Sequence, residues 1–150
     1  MQDILGDKFI AAEGVESAVI RGTKPKPILD LILAIEHLED WEWLKGPIVK
    51  LGYEVPRDLR QEKGRVLSVK GLQENRPHCP GITELNSDFW IGRILLRDYL
   101  TNSPQYRAEY QSLKAESFQA HNANREPYTR GREKLVRKTL KSAGYKGGLL

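Results

Sequence analysis

The longest hydrophobic run of the chain extends from Ile28 to Ile35, and Asp30 is the one charged residue inside it. A nearly continuous run of this kind is typical of a β-strand that is covered on both faces. Pro25 and Pro27 fix φ and have no N–H to donate to a neighbouring strand, so the strand is predicted to begin after Pro27. The pattern therefore predicts an interior strand that carries a carboxylate.

Three further elements are predicted around this run. Residues 8–15 form a candidate first strand, preceded by a short helical segment over residues 1–6. After Glu39-Asp40, which offers an N-cap, four hydrophobic residues recur at helical spacing up to Gly52. They are Trp41, Leu44, Ile48 and Leu51. Because Gly46-Pro47 lies inside this pattern, the helix is predicted to be kinked or split there.

The middle of the chain alternates between loop and strand patterns. Residues 57–64 are polar and predict a loop, whereas Arg65 to Gly71 alternates in polarity and predicts a strand. Basic residues stand at both ends of that strand, where they can hold an anion or cap a solvated edge. Further on, Pro80 and Gly81 argue against regular strand pairing before Ile82.

The last part of the chain predicts three helices. The first begins at Ser87, a good N-cap, and extends to about Thr101. The second restarts at Ser103-Pro104 with proline in the first helical position. The third extends from about Pro127 to Ser142 and stops at Gly144.

A length of 150 residues predicts a single domain over 1–150. We divide it into a sheet part (about 1–86), a helical part (about 87–143) and a short basic tail (144–150). The predicted fold class is α+β, with a small mixed sheet of four or so strands and a C-terminal segment of three helices.

Composition narrows the class of protein. Charged residues make up 29% and hydrophobic residues 39%, and no apolar run approaches the roughly 20 residues that span a bilayer. The N-terminus, with Asp3 and Asp7, does not resemble a secretory signal, so a cytoplasmic location is predicted. Cys79 is the single cysteine, which excludes an intramolecular disulfide and a thiolate metal cluster.

Positive charge is concentrated at the end of the chain. From Arg125 onward there are eight basic and two acidic residues, a local charge of +6 within a total of +4. Such a segment attracts phosphate groups, although a solvated helix face is the commoner explanation. A nucleic-acid-binding module that uses this last helix is therefore one hypothesis for the function.

Asp30 is the first candidate for chemistry, because a carboxylate in a hydrophobic strand is costly unless it is paired or functional. Lys26 is close enough in sequence to be its partner. The Gly/Pro-rich segment before the strand is by itself a common turn.

This segment resembles the GrpB family, an uncharacterised group related to nucleotidyltransferases, whose members have the pattern G-S-T-x-V-P-G-x-x-x-K-P-I-x-D. The matching residues are Ser17, Gly22, Lys26, Pro27, Ile28 and Asp30. The pattern's Gly, Thr and Pro are replaced by Glu16, Ala18 and Arg21, and its Val by the similar Ile20. The N-terminal arm is also shorter than in the family.

The resemblance continues along the chain. Gly64, Arg65, Lys70 and Gly71 resemble a G-R-x-F-x-K-G pattern with one residue more between its two ends, and Tyr128-Thr129 with Arg132 is similar to Y-T-x-x-K. The segment Arg76 to Leu85 stands where the family has a histidine-rich strand. Only His78 keeps a histidine there, which weakens any metal or base role for that strand.

The resemblance implies a nucleotidyltransferase-like sheet in which a Gly-Ser loop cradles phosphates and strand carboxylates hold magnesium. The second position of an Asp-x-Asp pair is Ile32 here, so Asp30 stands alone. Binding, or a degenerate transferase activity, is thus favoured over active magnesium-dependent transfer. The cofactor stays open, with magnesium expected only together with a nucleotide, and no metal ligands are assigned.

The predicted ligand cleft is bordered by Ser17 to Asp30, Arg65, Lys70 and Arg97. Arg97 and Asp98 are neighbours on a predicted helix, where adjacent side chains diverge, so one of them is expected to face this cleft. A salt bridge from Arg97 to Asp30 or to a surface carboxylate is the alternative. The predicted ligand is a nucleotide or another small molecule that carries phosphate. With Asp30 as the candidate catalytic residue, the predicted binding residues are Ser17, Gly22, Lys26, Arg65, Lys70, Arg76, His78, Arg97, Tyr128 and Arg132.

Overall fold

The computed structural model of the chain describes residues 6–15, 30–54, 61–62, 64–71, 78–119 and 126–147. The strands within these ranges are β1 (Phe9–Gly14), β2 (Asp30–Ile35), β3 (Tyr53–Glu54), β4 (Gln61–Glu62), β5 (Arg65–Gly71) and β6 (His78–Glu84). The helices are α1 (Trp41–Lys50), α2 (Asp88–Asn102), α3 (Pro104–Gln119) and α4 (Glu126–Ser142). Together these elements confirm the α+β class and the three C-terminal helices.

The strands form one mixed sheet in the order β1-β2-β6-β5-β3, with β4 also paired to β5. β2 is antiparallel to β1 and parallel to β6, so the prediction of an interior strand is confirmed for its described residues. β5 has partners on both sides, which removes the solvated edge as an explanation for its terminal basic residues.

Alternation along β2 explains its hydrophobic sequence. Leu33 and Ile35 pack into a cluster with residues of α1, whereas Ile32 and Ala34 pack with residues of α2. Each of the four is 6% exposed or less. Because helices cover the strand on both faces, both sets of side chains are removed from water.

The C-terminal helices begin and end as the sequence predicts. Ser87 accepts a hydrogen bond from the backbone N–H of Trp90, which caps the start of α2. Pro104 is the first residue of α3, and Gly144 has a φ of +79° just after α4. Their shared core includes Leu96 and Leu135.

Helix α1 is not split at Pro47, so of the two outcomes expected there, a kink or a split, the split does not occur. The helix continues from Trp41 to Lys50 with Pro47 inside it. Its buried side chains, Trp41, Leu44 and Ile48, lie on both sides of the proline and hold the two halves on the same core. Packing of this apolar face offsets the one backbone hydrogen bond that the proline cannot make.

Three local expectations also need correction. Residues 61–62 form strand β4 inside the segment expected to be loop. Strand β6 begins at His78, before Pro80, and a register shift between Asp30 and Ile32 of β2 accommodates the irregular stretch. Gly6, at the end of the expected helical segment, has a φ of +71° and is not helical. The other residues of that segment lie outside the described ranges.

No helix in the described part of the chain is long and apolar enough to cross a membrane.

Candidate functional site

Three candidate residues occupy neighbouring positions at one end of the sheet. Asp30, the first residue of β2, lies opposite His78, the first residue of β6. Val69 of β5 pairs with Cys79, so one step along both strands brings Lys70 level with His78. Adjacent strands are about 4.8 Å apart, and the three backbone positions therefore lie in a row across the sheet. We call Asp30, His78 and Lys70 the strand-end row.

The row continues to β3, where Glu54 lies opposite Lys70 in antiparallel register. Opposite charges at such cross-strand positions attract each other weakly. An ion pair with Glu54 is therefore a competing role for Lys70. The directions of the Asp30, His78 and Lys70 side chains lie outside the described part of the structure.

Arg97 of α2 joins the helix to the end of β1. Its Nη1 donates to Glu13 Oε2 at 2.8 Å and to the Gly14 carbonyl oxygen at 3.1 Å, and its Nε donates to Asp98 Oδ1 at 2.8 Å. The carboxylate alternative is thus realised by Glu13 and Asp98. Gly14 pairs with Leu31, the residue after Asp30, so this contact borders the strand-end row.

Electrostatics at Arg97 favour its charged form. Burial by itself lowers the pKa of Arg97, but the hydrogen bonds and charges of Asp98 and Glu13 outweigh it, and the pKa is raised above its usual value. Although adjacent helical positions diverge, the long Arg97 side chain reaches its neighbour, with Nε 2.8 Å from Asp98 Oδ1. The expectation that the two side chains point apart is therefore not met.

Arg65 lies at the other end of β5 from Lys70. It pairs with Thr83, and its guanidinium carbon lies 4.6 Å from the centroid of the Phe89 ring. The backbone positions of Arg65 and Lys70 are five residues, or about 16 Å, apart along β5, so one phosphate group cannot lie beside both. The structure therefore does not bring Arg65 together with the strand-end row.

A second arginine of α2 shares this ring. The guanidinium carbon of Arg93 is 5.2 Å from the Phe89 centroid, which gives the ring two cationic neighbours. Gly81 lies against the ring, where a Cβ would be 3.4 Å from Phe89 Cε1, an ordinary van der Waals contact. Phe89, Arg93 and Arg97 recur every four residues and so lie along one helix face.

The remaining predicted site residues are distributed as follows. Arg132 lies in α4, a helix that packs against α2 and α3, and Tyr128 belongs to the first part of the same helix. Ser17, Gly22, Lys26 and Arg76 lie outside the described residues, as does the side chain of Tyr128. Within the described residues, no group of three or more His, Cys, Asp or Glu side chains could hold a metal ion.

The hydrophobic and charge patterns of the sequence do not single out Glu13 and Arg93. The signal for Glu13 is a single acidic residue at the end of an otherwise apolar strand. The signal for Arg93 is its spacing of four from both Phe89 and Arg97, which places all three on one side of the helix. Both signals become informative only when the strand and helix that face each other are known.

The chain resembles known proteins along most of its length. The family model described as GrpB protein matches residues 1–142. The Glutamate-rich protein GrpB of Alkalihalophilus pseudofirmus is 26% identical over 145 residues, which cover 93% of this chain and 82% of that protein. A UPF0157 protein of Pseudomonas aeruginosa is 30% identical over 135 residues, 87% of this chain and 54% of that protein.

One solved structure has the same fold. The crystal structure of conserved protein GrpB from Enterococcus faecalis aligns with a TM-score of 0.72 at 23% identity. The alignment covers 94% of this chain and 86% of that chain. This likeness establishes the arrangement of sheet and helices.

Proposed function

Because the chain belongs to the GrpB family, we propose that it binds a nucleotide or another small phosphate-bearing molecule at the strand-end row. The observation that carries this proposal is the register that aligns Asp30, His78 and Lys70 on three adjacent strands. An ammonium and an imidazole supply donors for phosphate oxygens, and a carboxylate can accept from a ribose hydroxyl or hold magnesium that arrives with the nucleotide.

Residues 16–29 belong to the same proposal. They connect Val15 to Asp30, and they include Ser17, Gly22 and Lys26, which match the family pattern. The strands on either side of this segment pair at Gly14 and Leu31, so its two ends meet at the strand-end row. We therefore include Lys26 and Ser17 of this connection among the proposed ligand residues.

Titration calorimetry with ATP and with pyrophosphate tests the proposal. Lys70→Ala and Lys26→Ala are each expected to weaken binding by about 1.5–3 kcal/mol, the usual range for charge-assisted hydrogen bonds. Lys134→Ala, an exposed lysine of α4, is the matched control and should leave the affinity unchanged. Equal losses in all three variants would show that ATP responds to overall charge, which contradicts a site at the strand ends.

A second candidate function rests on α4. Arg130, Lys134, Arg137 and Lys141 are all exposed, and their spacing of four, three and four residues places them along one helix face. At about 1.5 Å per residue this stripe is about 16 Å long, a length suited to several phosphates of a nucleic-acid strand. Lys138 is not part of the stripe, because its Nζ lies 3.0 Å from Glu109 Oε1 and 5.0 Å from the Tyr106 centroid.

Oligonucleotide binding at two salt concentrations separates the two functions. If nucleic acid is the partner, the triple substitution Lys134→Ala, Arg137→Ala and Lys141→Ala abolishes binding, and affinity falls steeply with salt. Lys26→Ala then has little effect. If the strand-end row binds a small phosphate ligand, Lys26→Ala weakens ATP binding, whereas the triple substitution has little effect on it.

A further inference from the structure

Arg97 is held by groups of this chain itself. It makes three hydrogen bonds, to Glu13 Oε2, the Gly14 carbonyl and Asp98 Oδ1, and its side chain is 21% exposed. Two carboxylates surround one guanidinium, so the local charge is −1. An approaching phosphate group therefore meets no net positive charge at this point.

The contacts of Arg97 lie where the chain leaves the sheet. Gly14 is the last residue of β1, and Val15, which follows it, is 2% exposed and packs in the cluster with Ile32 and Phe89. The next described residue is Asp30. The guanidinium thus joins the middle of α2 to the residues from which the connection 16–29 starts.

We propose that Arg97 is a positioning residue that fixes the last residues of β1 against α2 through Glu13 and Gly14, beside the Asp30 end of β2. The inference rests on the proposed function for its consequence, since the strand-end row begins at Asp30 and the proposed ligand residues Ser17, Gly22 and Lys26 follow β1 in sequence. Arg97 itself does not contact the ligand. Glu13 contributes to this positioning because its carboxylate orients the guanidinium toward the Gly14 carbonyl.

Limited trypsin digestion tests this positioning without any ligand. Within residues 16–29, Lys24 and Lys26 precede proline and resist trypsin, which leaves Arg21–Gly22 as the tryptic bond. Glu13→Gln and Arg97→Gln are each expected to accelerate this cleavage about fivefold or more. In both variants the end of β1 can open locally without first breaking the contacts of Arg97 with Glu13 and Gly14. Cleavage after Arg93, inside α2, reports unfolding of the whole domain and provides the correction.

A matched control is available in the helical part. Lys138→Ala removes another ion pair between elements, the one with Glu109, and should leave the Arg21–Gly22 rate unchanged. Equal rates in wild type, Glu13→Gln and Arg97→Gln after the correction would overturn the positioning role.

Ligand affinity supplies the second readout. If Arg97 and Glu13 acted on the ligand by charge, Glu13→Gln would strengthen ATP binding, because it removes a negative charge beside an anion. The positioning role predicts the opposite: Glu13→Gln and Arg97→Gln each weaken ATP binding about tenfold, and the double variant is no weaker than the weaker single variant. Arg97→Lys keeps the charge but not the fork, and it is expected not to restore affinity.

The outcomes distinguish this inference from the proposed function. Stronger ATP binding in Glu13→Gln with weaker binding in Arg97→Gln would make Arg97 a direct ligand residue and overturn the positioning role. If wild type binds neither ATP nor pyrophosphate, the proposed function fails. The digestion then decides alone whether Arg97 fixes the end of β1.

Discussion

Asp30 and His78 lie opposite each other as the first residues of two parallel neighbouring strands. A carboxylate and an imidazole are thereby attached to backbone positions about 4.8 Å apart, inside a sheet rather than at its edge. Both strands are interior ones, with a neighbouring strand on each side. This relationship is the basis for locating a ligand site at this end of the sheet.

A hydrogen-bond chain fastens the start of α2 to the sheet. Trp90 N–H donates to Ser87 Oγ, which leaves the Ser87 hydroxyl to donate to Thr83 Oγ1 at 2.7 Å, and Thr83 in turn donates to the Gly64 carbonyl at 2.9 Å. Thr83 is fully buried. Thr83→Val keeps the shape but removes the hydrogen bonds to the Gly64 carbonyl and the Ser87 hydroxyl, so the free energy of unfolding is expected to fall by about 1–3 kcal/mol, the sum for two hydrogen bonds.

Urea denaturation measures this loss, with the midpoint shifting and the slope unchanged. The control is Thr101→Val, whose hydroxyl bonds to the Arg97 carbonyl within α2 and is only partly buried. A loss at Thr83 no larger than the loss at Thr101 would contradict the role of the chain.

The contribution of Tyr145 to the stability of the domain is expected to be lost at alkaline pH. Its hydroxyl donates to the Asp88 carbonyl at 2.9 Å, and burial together with the Asp88 carboxylate raises the pKa of Tyr145 above 10.0. Tyr145→Phe removes the hydrogen bond and is expected to cost about 0.5–1.5 kcal/mol at neutral pH. The folded protein holds this proton more tightly than the unfolded chain does, so the contribution is complete below about pH 10 and is lost as pH rises through the raised pKa.

The free energy of unfolding of wild type and Tyr145→Phe should therefore converge above about pH 10. Urea titrations of both proteins at neutral and alkaline pH measure the difference, in which the other tyrosines cancel. A difference that stays constant through the alkaline range would contradict the assignment.

Metal-assisted nucleotidyl transfer is expected to be weak or absent. The second position of a carboxylate pair on β2 is Ile32, which is 0% exposed and packs against α2 residues. A single carboxylate holds magnesium poorly without a phosphate or a second acid. Incubation with labelled ATP or GTP, magnesium and RNA or protein acceptors should give no transfer above a blank. Robust transfer that disappears in Asp30→Asn would establish an enzyme instead.

Local signals in the sequence predict most of the architecture. The hydrophobic run before Glu36, the cap at Ser87 and the proline at 104 identify elements because each acts within its own segment. Tertiary packing overrides such signals at Pro47, where the apolar face of α1 spans the proline, and at Pro80, where a register shift lets β6 start earlier. At Pro47 the competing principle is burial of the α1 side chains on the core, and at Pro80 the irregular pairing of β2 with β6 accommodates the proline.

The candidate site is predicted less completely, because it depends on which elements face each other. Lys70 and His78 come together only through the antiparallel register of β5 and β6. The same register moves Arg65 to the far end of the sheet. The partner of Arg97, Glu13, is 84 residues away in sequence, and the helical pattern around Arg97 carries no information about β1.

Histidine NMR tests the central claim most directly. The chain has three histidines, and His37 is a natural control because it follows β2 at the end opposite Asp30 and its side chain is 65% exposed. The imidazole signals can be assigned with His37→Gln, His78→Gln and His121→Gln and followed during titration with ATP. We expect the His78 signal to shift and saturate together with the calorimetric binding curve while the His37 signal stays in place. Saturable binding of ATP that leaves the His78 signal unmoved would contradict a phosphate-ligand site at the strand-end row.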